Sequence, residues 1–256
     1  MAAPIDSHEL DDKVQDMYRL VAEHPHQSYH FEMGRALAAR LGYPEEILDA
    51  VPAEALESFA GVGYFFDLAD LKPGEHVIDL GSGSGTDAFA AAHLVGAGGR
   101  VVGIDFTPEQ FEKAGRIAQE AGLDDVVEFW ERRIEHLPTG PAEFDCAISN
   151  GVVNLSAEKK QVFAEIARVL RPGGRLAIAD IVTERPLSDA IVENTDLWAS
   201  CIGGAAQEDN YAELIESAGL EVREVRRNDY GFMSSQARGA STTYGVKSVS
   251  VLAVKP

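Results

Sequence analysis

The sequence predicts an α/β protein, a doubly wound parallel sheet of seven strands preceded by a helical cap, and three observations carry that expectation. From residue 74 onward, short β-branched runs alternate with helical patterns, as βαβ units do. The chain before residue 70 shows helical periodicity only. Its 256 residues suit one α/β core with an extension, because single cores stop growing near roughly 250–300 residues.

In order along the chain, Leu10, Val14, Met17, Leu20 and Val21 recur at three- and four-residue spacing, which predicts an amphipathic helix over 8–23 whose apolar stripe needs a partner. HPHQSYHFEMG (24–34) crowds three histidines and two aromatics around Pro25 and reads as a loop entering a helix near 32–41. Short helices are expected at 44–49 and 52–59. Residues 1–70 thus read as a helical cap and 71–256 as the sheet domain. The expected strands are 76–80, 100–105, 126–131, 145–150, 175–182, 221–227 and 246–254, with a helix at 208–218. Residues 187–204 and 229–245 interrupt the alternation and read as insertions that shape a pocket. For 229–245 a lid and a homodimer contact both stay open.

Apolar residues at 45% and charged residues at 25% are the usage of a globular protein. Acids outnumber bases 42 to 22, and a field of that sign repels phosphate backbones and anionic headgroups, so neither nucleic acid nor a membrane surface is an expected partner. The charge itself reads first as solubility and does not choose a substrate. The first twenty residues hold five acids and no apolar run, so neither a signal peptide nor a membrane span is expected, and the location expected is cytoplasmic. Cys146 and Cys201 are too few for a disulfide framework or a thiolate zinc site; reduced thiols and no metal are expected.

The sharpest motif is VIDLGSGSGTD (77–87), a strand carrying Asp79 and then Gly81, Gly83 and Gly85 at alternate positions before a helix. Glycines let the backbone turn tightly against a ligand, and the helix start offers unpaired N–H groups beside it. The dinucleotide fingerprint is G-x-G-x-x-G, whereas this loop is G-x-G-x-G with an acid ahead of it. Asp79 would repel a pyrophosphate but attract a cationic aminoacyl sulfonium ligand. S-adenosylmethionine is therefore favoured over NAD, and an NAD-dependent oxidoreductase becomes the weaker rival. Asp105 ends the next strand about 20 residues past the loop, where an acid accepts hydrogen bonds from ribose hydroxyls.

With these residues the chain resembles the S-adenosylmethionine-dependent methyltransferases, most closely the arsenite methyltransferase-like branch and its ubiquinone-biosynthesis relatives. The likeness covers roughly residues 52–220, through ALESFAGVG (55–63), LADLKPGEHVIDLGSGSGTD (68–87), VGIDFTPEQ (102–110), IEHLP (134–138), SNGVVNL (149–155), VLRPGGRLAIADIV (169–182) and WASCIGGA (198–205). It implies a Rossmann-like seven-stranded methyltransferase core with an N-terminal helical cap. It further implies that Asp79, Gly81 and Gly83 line the cofactor's methionine end, Asp105 its ribose, Ile134 and Glu135 its adenine, that Ser149 and Asn150 lie beside the sulfonium, and that Ser82 and Phe106 also bind the cofactor. The family usually has an acid where this chain has Arg133.

Arsenic chemistry in that branch needs cysteine thiolates, and two of three are replaced here, by Val62 and Gly151; only Cys201 remains. One thiol does not make a three-coordinate site for a soft metalloid. The aromatic run Tyr64-Phe65-Phe66, with Trp198, suits a flat organic acceptor instead, though Phe66 and Trp198 read equally as core. Candidate catalytic groups are His24 and His26, with His30 beside them, because imidazole titrates near neutral pH and all three sit in a loop able to close over the cofactor; Tyr29 is a further polar candidate. His30, Tyr64, Phe65, Asn154, Trp198 and Cys201 are the candidate acceptor contacts. The expected function is methylation of a small, aromatic or heteroaromatic molecule, with the accepting atom open. The rivals are a metalloid or thiol methyltransferase using Cys201 and a non-catalytic S-adenosylmethionine-binding protein.

Overall fold

A computed structural model of the chain describes residues 7–29, 31–199, 202–233 and 235–256. Helices α1 (Ser7–Glu23), α2 (Arg35–Leu41), α3 (Glu45–Ala50), α4 (Ala53–Glu57) and α5 (Phe66–Ala69) precede the sheet. Then come β1 (His76–Leu80), α6 (Thr86–Val95), β2 (Arg100–Asp105), α7 (Pro108–Ala121), β3 (Val127–Glu131), β4 (Phe144–Asn150), α8 (Lys159–Val169) and β5 (Leu170–Thr183). The remainder is α9 (Asp189–Val192), α10 (Thr195–Ala199), β6 (Ala206–Gln207), α11 (Glu208–Ser217), β7 (Glu221–Arg227), α12 (Ser235–Tyr244) and β8 (Lys247–Val254).

The strands lie in the order β3-β2-β1-β4-β5-β8-β7, with the two-residue β6, absent from the sequence reading, paired to the end of β5. β1 to β5 are parallel, whereas β8 runs antiparallel between β5 and β7. That reversal corrects the all-parallel expectation: periodicity gives a strand's faces but not its direction. Residues 229–245, expected as an insertion, contain α12.

Alternation along the strands builds two cores. Val77, Val101, Ile148 and Ala177 point to one face with Leu37, Phe65, Phe66, Phe89 and Ile117, so α2 to α7 cover it. Ile78, Val102, Ala147 and Ile178 point to the other, where Phe163 and Ile166 of α8 and Tyr211 and Ile215 of α11 pack. A central parallel sheet buried on both faces needs such near-continuous apolar strands. No helix among the described residues is long and apolar enough to cross a membrane.

Chain order reverses between β1 and β4, the place where open α/β sheets form a crevice at their carboxyl ends. Residues 59–65 run past that crevice and are pinned by side chains. The Asn150 Oδ1 accepts from the backbone N–H of Val62 (2.7 Å), Ser248 Oγ donates to the Val62 carbonyl (2.6 Å) and Ser250 Oγ to that of Tyr64 (3.0 Å). So close an approach leaves no room for a side chain at residue 63. A Cβ there would lie 2.8 Å from the Cβ of Ala179 and against the amide of Asn228. Gly63→Ala is therefore expected to cost about 1–3 kcal/mol, as overpacking in a rigid core does. The measurement is urea unfolding, where a lower midpoint at unchanged slope supports the packing argument and an unchanged midpoint refutes it.

Candidate functional site

The crevice is a cleft of about 1000 Å³, counting its open mouth. One wall is the glycine loop. Gly81, Gly83 and Gly85 all have positive φ (72°, 53° and 94°), a region that L side chains rarely adopt. At Gly81 a Cβ would strike Val152, and at Gly85 it would strike Phe89 and Phe129. The loop is held by Asp105, whose Oδ2 accepts from the Gly83 N–H (2.8 Å) while Oδ1 accepts from Thr107 N–H (2.9 Å). Asp105 itself lines the cleft.

Below the loop, Asp79 is buried between β2 and β4, opposite Gly103 and Ile148. Its Oδ2 and the Oγ of Ser82 have no hydrogen-bond partner, and both residues line the cleft. A buried acceptor without a donor costs free energy and points to a ligand that supplies one. Burial, then the charges of Asp87 and Asp105, push the Asp79 carboxyl well above the usual aspartate range. Asp87, in the first turn of α6, is pushed up to about 6 by burial and held back by hydrogen bonds from Tyr43 (2.5 Å) and Asn150 (3.0 Å). Burial also raises Asp105. Arg133 is the one cation among the described lining residues, and it is paired with Asp11 at 2.7 and 3.1 Å and lies 3.3 Å from Glu135. The other carboxyls of the cleft therefore have no described cation beside them.

The structure gathers Asp79, Gly81, Ser82, Gly83 and Asp105 in this cleft, with Phe106, Ile134, Glu135 and Asn150. Ser149 stays behind the wall, buried, its Oγ donating to the Leu80 carbonyl at 2.7 Å. Glu135 is fixed by Ser156, whose Oγ donates to it at 2.6 Å.

The expected catalytic and acceptor groups are placed elsewhere. His24 and His26 are exposed and do not line the cleft; His26 lies 3.8 Å from Glu57 beside a separate shallow groove. Tyr29 donates its hydroxyl to the Leu20 and His24 carbonyls (2.7 and 3.0 Å), so the 24–34 loop folds back to cap α1 instead of closing over the cleft. Phe65 is fully buried core, and Tyr64 packs edge-on to Tyr43 at 5.0 Å. Trp198 donates to the Val192 carbonyl (2.7 Å) and joins Leu10, Val14 and Leu155 in a small cluster under α1. Asn154 is fully buried, its backbone N–H bonded to Asp180, and lies outside the lining. His30 and Cys201 fall outside the described residues.

Sequence reasoning missed Asp87, which ends the quoted glycine motif and needed only the helix geometry to face inward. It also missed Asp11, Val14 and Tyr18 of α1, which share one face at spacings of three and four residues. The unpartnered stripe was the available signal.

A family profile described as a methyltransferase domain matches residues 71–219. An arsenite methyltransferase of Halobacterium salinarum is 40% identical over 190 residues, 74% of this chain and 48% of that protein. The O-methyltransferase cnsE of Penicillium expansum is 31% identical over 160 residues, 60% of this chain and 56% of that protein. The chain thus spans about half the length of these curated relatives, 48% and 56%. The crystal structure of an arsenic(III) S-adenosylmethionine methyltransferase from Chlamydomonas reinhardtii is 28% identical and superposes with a TM-score of 0.64, covering 87% of this chain and 74% of that one. The strand order, the acid-floored glycine loop and the profile agree: the chain belongs to the S-adenosylmethionine-dependent methyltransferases and is arsenite methyltransferase-like.

Proposed function

We propose that this protein transfers a methyl group from S-adenosylmethionine to a soft acceptor that brings its own lone pair, a trivalent metalloid or a thiol, with Cys201 as the protein's sulfur. One observation supports this over the small organic acceptor expected from the sequence. The described cleft lining contains carboxylates, hydroxyls, amides, apolar groups and the paired Arg133 guanidinium, without imidazole or amine, and an acceptor that presents a free lone pair makes no demand for a dedicated base. The arsenic names of the Halobacterium salinarum and Chlamydomonas reinhardtii relatives point the same way, whereas that of the O-methyltransferase cnsE favours the second reading below. A single protein thiol suffices where the metalloid arrives already carrying two small-molecule thiolates.

The residues fit the cofactor. Asp79, with its unpartnered Oδ2, and Asp87 suit an ammonium, Ser82 Oγ and the glycine-loop N–H groups a carboxylate, Asp105 a ribose, and Phe106 and Ile134 the faces of a base. S-adenosylmethionine supplies the activated methyl on a sulfonium and leaves as S-adenosylhomocysteine. The protein's part is alignment and exclusion of water, which α1 and residues 58–61 serve by walling the cleft.

A second reading, a small organic acceptor, is favoured by the contact between Val62 and Gly151. A Cβ on Gly151 would lie 3.2 Å from Val62 Cγ1, so valine methyls fill the space where the resemblance puts two thiols.

Two measurements test this. Release of S-adenosylhomocysteine is followed with arsenite plus excess thiol, with thiols alone and with aromatic nitrogen and oxygen acceptors. Turnover with arsenite or thiols, reduced at least tenfold in Cys201→Ser, is expected; turnover with aromatic acceptors alone and indifference to Cys201→Ser would favour the second reading, and cofactor binding without any turnover would sink both. The second test is proton linkage. Raised carboxyl pKa values mean that the ligand-free fold binds more protons than the unfolded chain between the ordinary aspartate value and about 6, so its stability falls as pH rises through that window. A cationic ligand favours the ionised carboxylates, so S-adenosylmethionine should bind more tightly at pH 7.5 than at pH 5 and release protons near pH 6. Calorimetry in two buffers of different ionisation enthalpy reads this directly; identical heats at pH 6 would refute it.

A further inference from the structure

α1 forms a wall of the cofactor cleft, and its inward residues follow the sequence of chemistries that an adenosyl group presents. Parallel strands β1 and β2 place the glycine loop and then Asp105 along one line, and the segment after β3, Arg133 to Glu135, continues it. A ligand with its amino-acid end on Asp79 and its ribose on Asp105 therefore carries its base towards β3. Asp11 stands at that end, paired with Arg133 through two hydrogen bonds of 2.7 and 3.1 Å. Val14, one turn on, and Tyr18, two turns on, line the same cleft, and the Tyr18 carbonyl meets Gln110, which is bonded to Ser84 of the glycine loop.

Further hydrogen bonds fasten the wall, among them that of Ser58 Oγ to the Val21 carbonyl (3.3 Å). The amide of Gln15 donates to the Phe106 carbonyl (2.8 Å), that of Gln110 to the Tyr18 carbonyl (2.8 Å), Lys113 Nζ to the Ala22 carbonyl (3.1 Å), and Thr195 Oγ1 to Glu9 (3.0 Å). Gln110 in turn accepts from Ser84 Oγ of the glycine loop at 2.5 Å. α1 and the loop are thus parts of one hydrogen-bonded frame, and the position of Asp11 is fixed from both sides.

Two carboxylates meet at the base end. Glu135 is spent on Ser156 and Arg133 and is buried. Asp11 is held in orientation by Arg133, whose guanidinium lies 5.4 Å from the centroid of the Phe106 ring. A carboxylate held by a bidentate arginine keeps unused lone pairs and its charge, which suits a neutral donor arriving from the open side.

We propose that Asp11, delivered by α1 and oriented by Arg133, is the residue that reads the 6-amino group of the cofactor's adenine. The inference rests on the cofactor of this family and is independent of the methyl acceptor.

The test is calorimetric binding of S-adenosylhomocysteine and of its inosyl analogue, in which a 6-oxo group replaces the amine, to the full chain without any acceptor. Wild type is expected to prefer the adenosyl ligand by roughly tenfold or more, the scale of one charge-assisted hydrogen bond. Asp11→Asn should erase most of that preference, and Asp11→Glu, which keeps the charge and the arginine pair but displaces the carboxylate, should reduce it. Hydrogen exchange of residues 7–23 in each variant reports whether α1 stays docked. Loss of preference with α1 still protected supports the assignment. An unchanged adenosyl-to-inosyl ratio in both variants overturns it, as does an equal weakening of both ligands in both, which would make Asp11 a fastening for α1 alone; a larger loss of preference in Glu135→Gln overturns it in favour of Glu135.

Discussion

One side-chain amide holds the site together. Asn150, at the carboxyl end of β4, accepts through Oδ1 from the N–H groups of Val62 and Gly63 and donates through Nδ2 to the Gly63 carbonyl, the Tyr43 hydroxyl and the Asp87 carboxylate. It therefore ties the chain before the sheet, the glycine-loop helix α6 and the central strand into one unit at the topological switch point. Buried polar groups cost several kcal/mol when unpaired and specify a geometry when paired. Tyr43 completes the knot by donating to Asp87, and burial raises the tyrosine's own pKa well above its ordinary value. Asn150, so committed, also lines the cleft.

That knot lies in an unusual electrostatic setting. Asp79, Asp87 and Asp105 share one cleft, and no described cation is aimed at them. Crowded carboxylates resist ionisation, so the ligand-free cleft keeps protons that a cation displaces. The overall excess of acids, 42 against 22 bases, is not the cause; three particular side chains in a low-dielectric crevice are. The acceptor side is less polar. Where the resemblance places two thiols the chain has Val62 and Gly151 in contact, and the tilted pair Phe65 and Phe66 belongs to the core behind them.

The helices before the sheet do more than cover it. Thr86 at the start of α6 donates to the Ala55 carbonyl (2.9 Å), and α1 reaches across to Arg133 and Phe106. The cofactor cleft therefore draws its walls from residues far apart in sequence. Long-range construction of this kind ties the docking of α1 to what the cleft contains, because both depend on the same bonds through Gln110 and Ser84.

Sequence alone determined the fold class, the strands β1, β2 and β7 to the residue, and the glycine loop with its acids. The physical reason is that these are local facts: a strand's period, a positive φ that demands glycine, and an acid two residues ahead of a turn act on neighbouring residues. Tertiary structure alone decided the direction of β8, the inward turn of Asp87, the place of α1 over the cleft, and the positions of His24, His26, Tyr29, Tyr64, Phe65, Asn154 and Trp198 outside the lining of the cofactor cleft. For Tyr29 the deciding contact was with the carbonyls that end α1, and for Trp198 with the Val192 carbonyl and the apolar residues of α1. A residue's chemistry is written in its side chain, but which partner satisfies it depends on distances that only the packed chain sets.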